Sequence, residues 1–106
     1  MKLLIENGTL YVNNSLICHC EAGNGRPNIP TGRYQVVPEF SHVHGHVLLD
    51  AIGLGWIGPM PGCDVVLGGV RGRNGVIPSR DAFGRVLQRV EDAVESLGQD
   101  AVLDVR

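Results

Sequence analysis

The sequence predicts an α+β domain, in which a small, bent, mainly antiparallel β-sheet or barrel carries one C-terminal amphipathic helix against its open side. Three observations predict it. Short apolar runs alternate with turns rich in Gly, Asn and Pro through the first three-quarters of the chain. Fifteen glycines against two Phe, two Tyr and one Trp favour short strands and tight turns over a helical bundle. Apolar residues recur at three- and four-residue steps only between Phe83 and Leu97. With 106 residues there is room for one core, so residues 1–106 read as a single domain.

The elements follow in order. Lys2 to Glu6 reads as a strand, and Asn7-Gly8 is a hairpin signal because both residues tolerate positive φ. Thr9 to Val12 and Ser15 to Cys20 continue the meander across Asn13-Asn14. Glu21 to Asn28 reads as a loop, and Arg33 to Val37 as an alternating strand ended by Pro38. Val43 to Ile52 is expected as a strand, Gly53 to Gly62 as a loop around Trp56, and Asp64 to Leu67 as a short buried strand. A glycine-rich loop from Gly68 to Gly75 follows. The helix is expected over about residues 79–97, with Ser79 as N-cap, a stripe through Phe83, Val86, Leu87, Val90, Val94 and Leu97, and Gly98 at its end. Ala101 to Val105 alternates enough for a final strand.

Charge and composition narrow the function classes. A net charge of −2, with the C-terminal arginines interleaved by acids, argues against a nucleic-acid surface. No run approaches the roughly 20 apolar residues of a membrane span, and Glu6 interrupts the N-terminal apolar run, so the expectation is a cytoplasmic protein without membrane attachment. Three cysteines make a poor disulfide framework, and no cofactor is implied.

Two features could carry chemistry. Cys63 stands at a Pro61-Gly62 turn leading into an apolar strand, where a thiol is held on a rigid base; it is a candidate nucleophile or a small buried apolar residue. His42, His44 and His46 alternate, so that in an extended strand they would share a face and offer three nitrogens to zinc, nickel or copper; the alternative is an exposed His-rich loop. Cys18 and Cys20 are expected to share a packed strand face with Leu16. Trp56 walls a pocket or plugs the end of the sheet. The Gly68–Gly75 segment lacks the lysine and spacing of a phosphate loop.

Ile29-Pro30-Thr31-Gly32-Arg33-Tyr34-Gln35-Val36 resembles the TPxGxF/YxV strand of L,D-transpeptidase catalytic domains. Gly62-Cys63-Asp64-Val65-Val66-Leu67 is similar to the segment that carries their nucleophile, and Ser79-Arg80-Asp81-Ala82-Phe83 to the helix start that follows. A small bacterial and phage family of unknown function, related in pattern to those enzymes, is closer still and matches at Cys18–Glu21, Ile29–Tyr34, Gly62–Gly68 and Ser79–Ala82. The resemblance implies the fold above, a cleft for a peptide or protein partner, and Cys63 as the counterpart of the nucleophile. Arg33 and Arg80 lie in the matching blocks and join Trp56 as candidate binding residues. The chain departs from the pattern at Gly58, where the family places its His. A thiol without that imidazole lacks the general base and acid that typically contribute roughly 10² to 10⁴ in rate. Only His44 or His46, on the preceding strand, could stand in. The expectation is therefore a non-catalytic binding module with a degenerate transpeptidase-like cleft. The alternatives are a cysteine-dependent cell-wall peptide enzyme and a metal-binding protein.

Overall fold

Both Asn-containing turns form as the sequence dictates. Asn7 and Gly8 take φ of 52° and 72°, and Asn13 and Asn14 take 48° and 71°, the doubly positive pattern whose twist suits two-residue hairpins. They join β1 (Lys2–Glu6), β2 (Thr9–Val12) and β3 (Ser15–Ala22) into an antiparallel meander. The computed structural model describes residues 1–106. The register between β2 and β3 shifts at Leu10/Tyr11, with Tyr11 opposite Leu16 and Leu10 opposite Cys18. Ile17 is the extra residue of this bulge. The bulge corrects one expectation: Cys18 and Cys20 are buried, but Leu16 is turned out and is 63% exposed.

The chain continues through β4 (Gly32–Ser41), β5 (His46–Ala51), β6 (Gly55–Gly58), β7 (Val65–Gly72) and β8 (Gly75–Pro78) to α1 (Arg80–Glu91), a π-helical turn (Asp92–Ser96) and β9 (Ala101–Val105). The result is a compact α+β domain with a large strand-rich sheet and one C-terminal helix. The sheet runs in the order β3-β2-β1-β9-β4-β5-β6-β7-β8, and β3 also pairs with β7. Two long strands make this possible by changing partners midway. β3 pairs with β2 as far as His19 and with β7 from His19 onward. β4 pairs with β9 as far as Val36 and with β5 from Val36 onward. Strands that change partners in this way form the corners between two sheet halves. Pairing is mainly antiparallel, but β1–β9 and β6–β7 are parallel.

One cluster of 22 buried side chains runs through sheet and helix. Ser79 caps α1, its hydroxyl accepting from the Ala82 N–H at 3.1 Å, a contact worth about 1 kcal/mol. Phe83, Val86 and Val90 are buried, each worth roughly 1.5–3 kcal/mol. The predicted stripe then fails at its C-terminal end. In the π-helical turn the Leu97 N–H reaches back five residues to the Asp92 carbonyl. Ala93 is buried and Val94 still packs against the core, but Leu97, beyond the turn, is 66% exposed. Gly98, at φ 64°, follows. No helix is long and apolar enough to cross a membrane.

Two expected loops are strands. Gly55–Gly58 is β6, and the glycine-rich segment after Leu67 is the end of β7 and the start of β8. Their glycines are places of close approach. A Cβ at Gly68 would run into the Ile77 carbonyl, and one at Gly55 into the Asp64 carboxylate.

Candidate functional site

Parallel strands cannot be joined by a tight hairpin, so residues 59–64 must carry the chain from the end of β6 back to the start of β7. Consecutive residues of β5 point to opposite faces, yet Leu48 and Leu49 are both fully buried. This half of the sheet is therefore covered on both sides. The Cys63 sulfur and the Leu48 methyls converge on Gly58: a Cβ there would lie 2.8 Å from Sγ and 2.9 Å from Leu48 Cδ2. Cys63 is fully buried. Burial pushes its thiol above the ordinary value; a backbone hydrogen bond with Met60 pulls the other way, and the Asp64 charge adds to the rise. No imidazole acts on it.

Asp64, next in sequence, is the most heavily bonded side chain of the region. One carboxylate oxygen accepts from the Trp56 backbone N–H at 2.8 Å. The other accepts from Arg26 Nε at 3.0 Å and Asn24 Nδ2 at 3.4 Å. Arg26 also donates to the Leu54 carbonyl at 3.1 Å. Burial would raise the Asp64 carboxyl, but the Trp56 N–H, Arg26 and Asn24 outweigh it and hold it below the ordinary carboxylate value. The backbone repeats the link, since Gly23 N–H donates to the Asp64 carbonyl and Asn24 N–H to that of Pro61. This polar staple fixes the loop after β3 against the β6–β7 connection. Sequence reasoning passed over it. The available signal was an acid heading the apolar run Val65-Val66-Leu67, because a buried carboxylate needs partners.

The three histidines do not share a strand face. Residues 42–45 form a turn, and β5 begins only at His46, which removes the geometry on which the expected metal site rested. The His42 ring meets the edge of Phe40 with centroids 5.0 Å apart, and His46 is exposed. No three His, Cys, Asp or Glu side chains are grouped to hold a metal ion. His44 alone comes near the Cys63 turn. Its Nδ1 is 2.8 Å from the buried Ser41 hydroxyl, which also accepts the His44 backbone N–H at 3.3 Å. Its ring meets Trp56 edge-on at 6.5 Å. Its Nε2 faces Gly62, 3.4 Å from where a Cβ would stand. The fold thus brings His44, Trp56 and Gly62 together on the outside and directs the Cys63 sulfur inward, away from them. No hydrogen bond joins Cys63 to a histidine.

The other candidates lie elsewhere. Arg33 on β4 forms a two-pronged pair with Asp104 on β9, at 2.8 and 3.4 Å. Arg80 is exposed at the start of α1. The surface has three open clefts, and none is lined by Cys63, His44, His46, Trp56, Arg33 or Arg80. No family model, curated protein or solved structure matches the chain.

Proposed function

We propose that this domain is a non-catalytic binding module of L,D-transpeptidase-like outline, in which the cysteine has become core packing and the surface engages a peptide or protein partner. The observation that carries the reading is the buried Cys63 sulfur, packed with Leu48 against Gly58. A nucleophilic thiol needs access, a base within hydrogen-bond reach and a depressed pKa. Cys63 is inaccessible and shifted upward, and the nearest oriented imidazole, His44, is bonded to Ser41 instead. The ring of strand pairings and the single helix support the small barrel that the resemblance implies.

The test is intact mass after incubation with a cell-wall stem tetrapeptide. Acyl transfer would join Cys63 Sγ to the substrate carbonyl as a thioester and expel the terminal residue as a free amine, the thiol proton going to that amine. The expected result is unchanged protein mass and unchanged peptide. A thioester adduct that is absent in Cys63→Ser would replace this reading with the enzyme.

A further inference from the structure

β8 is the one strand of the sheet with a single partner. It pairs with β7 alone, whereas every other strand has at least two neighbours over some part of its length. No backbone hydrogen bond joins residues 75–78 to any other element. The N–H and C=O groups on the side of β8 away from β7 are therefore free. Sheet edges are commonly blunted by a charge or a proline within the strand. Gly75, Val76 and Ile77 supply neither, and Pro78 only closes the far end. Val76 is buried, but Ile77 is 52% exposed, and so is Val70, its cross-strand partner.

A cleft of about 290 Å³ follows the same strand, lined by residues 72–78 alone. Gly72 and Gly75 bring no side chain to it, and Ile77 lies over Gly72, where a Cβ would stand 3.1 Å from its Cδ1. Arg73, exposed in the two-residue turn between β7 and β8, lines the cleft and forms no ion pair. The Glu21 carboxylate lies over Gly75, and Arg71 donates to the Gly8 carbonyl. The end of this hairpin thus holds two arginines against one carboxylate.

We infer that β8 receives an extended segment of a partner protein as an added strand, with apolar side chains beside Ile77 and Val70 and an acidic side chain at Arg73. A row of free main-chain donors and acceptors is complementary to another extended backbone. The ladder supplies affinity, and the alternating side chains supply selection. Antiparallel pairing, the more stable ladder, runs the segment from Pro78 toward Arg73, so its acidic residue stands near its C-terminal end. A second copy of this chain fits less well, because antiparallel pairing centred on β8 sets Arg73 against Arg80 of the second copy. The inference rests on the binding-module reading and names the form of the partner.

The test is an amide NMR titration of the nitrogen-15-labelled protein at low salt with the capped peptide acetyl-Thr-Val-Thr-Val-Glu-amide. The expected result is saturation with Kd below about 1 mM and amide shifts centred on residues 72–78. Lysine in place of the glutamate of the probe is expected to weaken binding by about fivefold. Arg73→Gln, at an exposed turn position, is expected to weaken it by about threefold to fivefold and leave the melting midpoint unchanged. Two further probes carry N-methyl groups on alternate residues, one in each phase. Because alternate N–H groups of a strand point to the same side, one phase should abolish binding and the other should preserve it. Shifts centred on another strand, equal binding of the two phases, equal affinity of the acidic and basic probes, or no saturation below about 5 mM would each overturn the inference. Shifts at residues 72–78 that grow with protein concentration alone would overturn it in favour of a second copy. These failures leave the Cys63 reading intact, because no probe touches the thiol, and a Cys63 adduct would sink that reading without changing these shifts.

Discussion

Gly58→His is expected to unfold the domain and not to supply Cys63 with an imidazole. Gly58 has no positive φ, so the objection is space alone. Even a methyl group there meets Cys63 Sγ and Leu48 Cδ2 inside 3.0 Å, in a part of the sheet packed on both faces. Adding methylenes to a filled core costs about 1–3 kcal/mol, and an imidazole is several times larger. The expected loss exceeds about 4 kcal/mol, a large share of the roughly 5–15 kcal/mol available to a domain. Gly58→Ala should show the graded version, about 1–3 kcal/mol. Truncating Leu48 alone should cost roughly 2–5 kcal/mol by leaving a cavity. In combination with Gly58→His it should recover part of the loss, because the two changes share one volume. Urea melts of the four variants check this. A stable, cooperative Gly58→His single variant would show that Leu48 and Cys63 do not fill the space beside Gly58.

Val90→Asp is expected to have a comparable effect by a different route. Val90 is fully buried on α1, and an aspartate there would meet neither water nor a partner. A carboxylate so placed must protonate or drag its segment into solvent, at a cost of several kcal/mol. A loss of about 4 kcal/mol lowers the melting midpoint by roughly 15–30 °C in a chain of this size, so the circular-dichroism melt should broaden or vanish at 37 °C. Leu97→Asp provides the contrast. Leu97 belongs to the same sequence stripe but is 66% exposed beyond the π-helical turn, and its melt should stay within a few degrees of wild type. Equal effects at the two positions would mean that the helix keeps its register through Ser96.

These two sites mark the boundary of what was legible in the sequence. Local signals read well: Asn7-Gly8 and Asn13-Asn14 make their turns, Ser79 caps the helix, and Ala101–Val105 is a strand. Each depends on residues within a few positions of one another. The misses depend on partners far along the chain. Gly55, Gly58 and Gly68 look like loop residues, but they sit in strands where the Asp64 carboxylate, Cys63 Sγ and the Ile77 carbonyl come too close for any side chain. The bulge at Ile17 and the π-helical turn each add one residue to a repeat, which moves Leu16 and Leu97 off the faces their spacing assigns. The His42–His46 spacing suits a strand, but the chain turns there. At Cys63 the thiol's direction could not be read, because alternation distinguishes two faces only when one of them meets water. The partnership of Asp64 with Arg26 spans 38 residues and leaves no local pattern.

The state of Cys63 decides between a binding module and an enzyme, and its alkylation by iodoacetamide as a function of pH measures that state directly. Only the thiolate reacts, and the folded protein holds this thiol above its ordinary value. The thiolate is therefore scarce at neutral pH and increases only as pH climbs past the ordinary thiol range. Burial slows the reaction further, since it must wait for residues 59–64 to open. Peptide-level mass spectrometry separates Cys63 from Cys18 and Cys20, whose thiols burial pushes to about 11 and about 12. The predicted result is negligible labelling of Cys63 at about pH 6, a rise only above about pH 8, and rapid labelling once denaturant opens the fold. Fast labelling of Cys63 at about pH 6 that disappears in His44→Ala would contradict the account and identify a reactive thiol paired with an imidazole.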